Sequence, residues 1–196
     1  MFFLKQRTVL INLIFMTLLW SIAAFSFYTN NTFIKYVPGN FENNVLVMTS
    51  TDIIASLSAG ALLGHFSAKN LFASYATMSA FAGASILMFV DPATPTWYVP
   101  FLVGLSRFGV VSSFTTIYLT HPSFFPTLFA VTSMGISNFA ARLIVILAPL
   151  IAEVAYPLPI VIVTILQVVA CVSALFLIEP PNLSKSLNNE TKSDAK

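Results

Sequence analysis

Three ionisable side chains, Asp52, Arg107 and Arg142, stand inside long apolar stretches of the sequence. A charge at the centre of a bilayer costs at least about 2.5 to 3.5 kcal/mol on insertion scales, so a helix that keeps one there turns it toward a partner or a water-filled cavity. Counted from the outer end of each stretch at about 1.5 Å per residue, Asp52 lies roughly 12 Å deep, Arg107 roughly 14 Å and Arg142 roughly 18 Å. The three share one level. Residues three and four apart share a helix face, and two polar stripes obey that spacing: Thr49, Asp52 and Ser56, and Gly135, Asn138 and Arg142. The chemistry on offer is recognition of a charged solute. Asp52 neutralises one arginine while the other stays available to an anion; Arg142 and Asn138 are expected in the binding cavity, with Arg107 either a second anion contact or the partner of Asp52. The alternative is a purely structural Asp–Arg pair that fixes helix register, with the second arginine drawn to an interface. Phe108, Phe114 and Phe139 lie beside the charged level, where an aromatic substrate would meet them.

Other chemistry is poorly supplied. There is no Ser/His/Asp arrangement, no His-Glu-x-x-His, no phosphate-binding glycine loop and no pair of intramembrane aspartates. Cys171 stands alone, without a disulfide partner or a zinc site. The expectation is a protein that is not an enzyme and takes no cofactor or metal. His65 and His121 fall at span ends, where a half-solvated imidazole needs no function, and Glu153 is expected to be solvated at another.

The elements that must position these groups follow from composition. Of 196 residues, 57% are apolar and 8% charged, against roughly 25% charged in a soluble domain, and the mean hydropathy is +0.87. A net charge of +2 is too small and too scattered for a nucleic-acid surface. Stretches of about 20 residues, the helical length that crosses a bilayer, run approximately over Thr8 to Tyr28, Asn44 to Phe66, Leu71 to Val90, Tyr98 to Thr120, Leu128 to Val154 and Leu158 to Ile178. Continuous rather than alternating apolar runs favour helices over a barrel. An all-α membrane protein of six transmembrane helices over residues 1–180 is expected, its loops marked by Pro38-Gly39, Asp91-Pro92, Pro95, Pro122, Pro126, Pro157 and Pro159. The Asn/Ser/Lys-rich segment 181–196 has too little apolar surface to fold and is expected to be a disordered cytoplasmic tail. Gly60 and Gly64 form a small-xxx-small spacing suited to close helix approach.

Basic residues set the direction, because Lys and Arg are retained on the cytoplasmic side. With both termini cytoplasmic, Lys5, Arg7, Lys69, Lys185, Lys192 and Lys196 lie inside and Lys35 outside. A cleavable signal sequence cut near Ala23 and Ala24 is the competing reading, which N-terminal sequencing decides; the first apolar run has no polar break before Tyr28. Asn30, Asn182 and Asn189 head Asn-x-Ser/Thr sites, two in the expected cytoplasmic tail and one close to the membrane. With no organelle signal in view, the plasma membrane is the expected location.

The fourth stretch carries a resemblance. Ser106-Arg107-Phe108-Gly109, then Phe114, then Ile117-Tyr118, leading through Pro122 to Phe125-Pro126-Thr127, resembles the tenth span and following loop of the organic cation and anion transporter branch of the major facilitator superfamily, where the pattern reads approximately G-K-F-G, F, I-Y, E-L-Y-P-T. Met134-Gly135, Ala141-Arg142 and Pro149 continue it, and look like the family's eleventh span. Gly60 to Lys69 aligns without gaps on the loop pattern G-x-L-x-D-R-x-G-R-K. Gly64, His65, Ser67 and Ala68 replace its Asp, first Arg, later Gly and later Arg. Ser123 stands for the acid before the Y-P-T triplet and Ala130 for the arginine after it. In the family those charges latch the cytoplasmic side.

The resemblance covers Arg7 to about Glu179 and matches the carboxy-terminal half of a twelve-span fold. It implies transport of a small organic solute by alternating access, as a half-transporter or a fragment of a twelve-span transporter, with an arginine at position 142 pointing to an anion. It also implies a partner, either a second six-span half or a homodimer, beside the lipid bilayer. Arg142, Asn138, Arg107, Asp52 and Phe114 are the expected substrate-binding residues. The missing loop charges motivate the alternative of a non-transporting scaffold or regulator that keeps the half-fold.

Overall fold

A computed structural model describes residues 7–36, 41–89 and 98–179. The Pro38-Gly39, Asp91-Pro92 and Pro95 loop signals and the tail expected over 181–196, with its basic residues and two Asn-x-Ser/Thr sites, lie outside those residues, as does Lys5. The fold is all-helical, with six helices long and apolar enough to cross a membrane among the described residues. They are α1 (Arg7–Phe33), extended by a 3₁₀ turn (Ile34–Tyr36), α2 (Phe41–Leu63), α3 (Ala68–Phe89), α4 (Val99–Thr120), α5 (Thr127–Val145) and α7 (Leu158–Leu175). Between α4 and α5 lies a 3₁₀ turn (His121–Phe124), and α6 (Leu147–Ala152) prolongs α5 toward α7.

Proline punctuates the chain in two ways. Pro100 and Pro159 open α4 and α7, in the first turn where a missing N–H leaves no bond unmade. Pro149 stands further inside a helical run, and there it withholds the hydrogen bond that Val145 would accept and crowds that carbonyl. The fifth span, expected to be continuous to Val154, accordingly breaks at Ile146 into α5 and α6.

Lipid offers no hydrogen bonds, so polar side chains on these helices must be satisfied within the protein. Many satisfy themselves against their own backbone one turn back: Ser21 on Thr17, Thr49 on Val45, Ser74 on Asn70, Thr116 on Ser112 and Thr164 on Ile160 all donate to the carbonyl four residues earlier.

The helices pack in two layers. α2, α4, α1 and α5 form the first, in that order; α3 and α7 pack together behind α4 and α1. Trp20, Met16, Phe72 and Ile117 fill the core between the layers. α2 and α5 are the flanks, each with only 17% of its most apolar stretch buried, against 39–61% for the other spans. Both attach through small residues. α5 buries Ser133, Ser137 and Ala141, one turn apart, and α6 continues with Ala148 and Ala152, while α2 buries Ala55 and Ala59. Thr17 on α1 and Ser137 on α5 share a hydrogen bond of 2.8 Å across that seam. The start of α1 and the chain after α7 are joined by a reciprocal pair, Asn12 Nδ2 donating to the Ile178 carbonyl and the Ile178 N–H donating to Asn12 Oδ1.

The glycine spacing expected to bring helices together does not do so within this chain: Gly60 faces open space. Close approach occurs instead at Gly109 and Gly83. A Cβ on Gly109 would stand 2.5 Å from the Tyr75 carbonyl oxygen, which is backbone and cannot step aside. Gly109→Ala is therefore expected to separate α4 from α3 and lower stability by about 1–3 kcal/mol in SDS-titrated unfolding from detergent. Gly60→Ala, with free space around it, is expected to be neutral or stabilising by up to about 1 kcal/mol.

Candidate functional site

The middle of the first layer carries the charges. Arg107 projects from α4 toward Asp52 on α2, its Nε donating to Oδ1 at 2.7 Å and its Nη2 to Oδ2 at 2.6 Å. This is the bidentate fork that a planar guanidinium makes with a carboxylate. Its Nη1 donates to the Phe27 carbonyl at 3.4 Å, and the guanidinium lies 4.4 Å from the centre of the Phe27 ring. The Arg107 side chain is 3% exposed and that of Asp52 28%. Every nitrogen of Arg107 is thus occupied, whereas Asp52, on a flank helix, keeps an open side.

Arg142 is held differently. Nη1 donates to the Tyr28 hydroxyl at 3.0 Å and Nε to Asn138 Oδ1 at 3.4 Å, and the guanidinium lies 5.9 Å from the Tyr28 ring centre. No carboxylate among the described residues pairs with it, and it is exposed on the open face of α5. Asp52, Arg107 and Arg142 therefore do not meet as one triad. Asp52 and Arg107 join, and Arg142 stands apart across α1, where consecutive residues serve the two sites: Phe27 lies under Arg107 and Tyr28 holds Arg142.

Aromatic rings line the ground between them. Phe27 stacks on Phe114 at 5.8 Å, Phe114 meets Tyr118 edge-on at 5.0 Å, and Phe27 meets Tyr28 edge-on at 5.4 Å. Of the three phenylalanines expected near the charges, Phe114 belongs to this surface. Phe108 packs against the core and Tyr75, and Phe139 is exposed on α5. On α2, Thr49 turns back to its own helix, while Ser56 accepts a hydrogen bond of 3.4 Å from Thr115 of α4.

Tyr28 and Phe27 were not among the expected site residues. By hydropathy the first apolar run ends at Tyr28; α1 runs on to Phe33, so Tyr28 sits more than a turn inside. Two further expectations are corrected. Glu153 is not simply solvated: Lys35 pairs with it, Tyr36 also donates to it at 3.4 Å, and the Lys35 hydrogen bond holds its carboxyl below the usual range. His121 is not half-solvated but fully buried, because the α4–α5 turn folds it under Trp20 and Phe125. His65 is exposed. Among the described residues no group of three His, Cys, Asp or Glu side chains is placed to hold a metal ion.

No family model matches the sequence. The chain is, however, similar to several transporters. It is 26% identical over 172 residues to Solute carrier family 22 member 21 of Mus musculus, covering 85% of this chain and 30% of that protein. It is 24% identical over 181 residues to Organic cation/carnitine transporter 2 of Rattus norvegicus, covering 89% and 32%. Over a shorter stretch of 111 residues it is 33% identical to Organic cation transporter protein of Drosophila melanogaster, covering 54% and 20%. The chain spans about a third of the length of the first two relatives. Two of these names speak of organic cations or carnitine, and none supports the organic anion expected from Arg142.

The two arginines differ in what their removal should do. Asp52→Ala strands a buried guanidinium and is expected to lower stability by about 3–5 kcal/mol, whereas an apolar replacement of the pair, Asp52→Leu with Arg107→Met, is expected to recover most of that loss. Arg142→Ala leaves no buried group unpaired, and its effect is expected to stay below about 1 kcal/mol. SDS-titrated unfolding of the single and double variants measures all three.

Proposed function

We propose that this chain is one six-helix half of a solute carrier, equivalent to the carboxy-terminal half of its relatives. It would move a small organic solute between itself and a second six-helix unit by alternating access. The observation that carries the reading is Arg142: a guanidinium well inside a span, oriented by Tyr28 and Asn138, exposed and without a carboxylate. Such a residue is expensive in lipid and useful in a wet cavity. The flanks supply the second support. α2 and α5 leave most of their surface uncovered, and Gly60 and Gly135 both face space with nothing within 4 Å. Glycine gains nothing from lipid and favours a closely approaching helix, so a second unit, another copy or a distinct half, packs across this face and closes the cavity.

The site accommodates both the anion suggested by Arg142 and the cations in the relatives' names. Carnitine carries a carboxylate and a quaternary ammonium. Arg142 and Asn138 take the carboxylate. The rings of Phe27, Phe114 and Tyr118, which line the ground beside Arg142, take the cationic end. In this reading Arg107 binds no solute; it anchors Asp52. Arg7 and Lys69 support a reading in which both termini are cytoplasmic, and the plasma membrane is the proposed location. The loop Gly64–Lys69, without the family's latching charges, favours a second reading, a non-transporting scaffold that keeps the half-fold.

Uptake into proteoliposomes containing the purified chain separates the two. Carnitine uptake is expected, with Arg142→Ala reducing it at least about tenfold, the scale of a charge-assisted hydrogen bond of about 1.5–3 kcal/mol. Choline, which lacks the carboxylate, is expected to be unaffected by that substitution. Unchanged carnitine uptake by Arg142→Ala removes Arg142 from the site. No uptake from a chain that is strictly monomeric on a blue-native gel supports the scaffold.

A further inference from the structure

Where α4 turns into α5, one ionisable side chain is sealed inside the bundle. His121 opens the turn and has no solvent exposure. α1 sets Trp20 edge-on to its ring at 5.2 Å, the end of the turn sets Phe125 at 4.9 Å, and α4 supplies Tyr118, which lies against Trp20 at 4.6 Å. α5 supplies Ser133, whose hydroxyl lies 3.1 Å from Nε2. Tyr118 is the titratable group among these neighbours, and no charged side chain among the described residues acts on the imidazole.

The hydrogen-bond geometry fixes the tautomer. Ser133 has one hydroxyl hydrogen and donates it to the Ala130 carbonyl at 2.8 Å. Toward the ring it therefore accepts, so Nε2 carries the hydrogen and Nδ1 presents a bare lone pair. Nδ1 is buried and has no partner. A neutral ring tolerates that. A second proton would place a charged N–H against apolar walls with nothing to accept it, and a buried unpaired charge is among the most costly groups a protein can hold.

We propose that His121 is an acid-sensitive latch: the neutral imidazole seats the turn between α4 and α5, and protonation at Nδ1 unseats it. The open form takes up a proton that the closed form refuses, so it is favoured as pH falls, in the range where histidine alone among ordinary side chains changes charge. The link from His121 to Thr127 is short and bounded by Pro122 and Pro126. Displacing the ring therefore pulls on the start of α5, where Ser133 and Ser137 pack against the rest of the bundle. This holds whether or not the chain carries a solute.

The test uses the full chain in lipid nanodiscs, with His65→Gln and Trp97→Phe leaving one histidine and one tryptophan. Nitrogen-15 spectra of the ring at about pH 7.5 are expected to give the Nε2–H tautomer. Between about pH 7.5 and about pH 5, Trp20 emission is expected to fall at least about twofold as the turn opens and the ring charges, with faster amide exchange over residues 121–126. His121→Phe is expected to abolish the pH response. A ring protonated on Nδ1 at about pH 7.5, flat Trp20 emission across that interval, or a response that survives His121→Phe would each overturn the proposal. Should His121→Phe fail to fold, the tautomer and emission of the histidine-bearing protein decide alone.

Discussion

The bridge between Asp52 and Arg107 is the interaction on which the arrangement of the first layer depends. α2 is a flank helix attached chiefly to α4, with Ala55 and Ala59 buried in the middle of its length and Met48 and Leu63 toward its ends. A bidentate pair admits one register, because a shift of one residue would turn Asp52 about 100° away from the fork. The same pair decides the electrostatics of the face. By consuming every nitrogen of Arg107 it leaves Arg142 as the guanidinium without an acid, and it leaves Asp52 half open. Two charges of opposite sign thus stand on one side of the bundle, with α1 and its Phe27 and Tyr28 rings between them.

The two layers divide labour. α3 and α7 hold the back by close contact, with Gly83 against Thr164, and α4 joins them where Gly109 meets the Tyr75 backbone. The front is built of small residues on the buried sides of α2 and α5 and open surface on the others. Gly60 and Gly135, open among the apolar side chains of that front, make it a seat for another helical unit, which is why the proposed pairing and the proposed solute site fall on the same face.

Much of this is legible in the sequence, for physical reasons. Six spans follow from hydropathy and length because the bilayer sets both. That Asp52 and Arg107 lie at one depth follows from the rise of a helix. Lateral placement does not. Depth along a span says nothing of which neighbour a side chain faces, so the sequence could not choose between Arg107 and Arg142 as the partner of Asp52. It also could not see that a histidine near a span end is folded beneath Trp20. Tyr28 was missed because hydropathy fades before the helix does: Thr29, Asn30, Asn31 and Thr32 are polar yet helical. Gly60 shows the same limit, because a small residue marks a place for close approach without saying whether the approaching helix belongs to this chain.

The distance along the chain between the bridge's two halves has a consequence for biogenesis. Asp52 leaves the ribosome 55 residues before Arg107, roughly 3 to 11 seconds at synthesis rates of about 5–20 residues per second. For that interval α2 carries an acid into the membrane with no base to receive it. Until α4 arrives, that acid is accommodated where it keeps contact with water. Insertion of α2 and α4 is then a single coupled event, although they are separate segments of the chain.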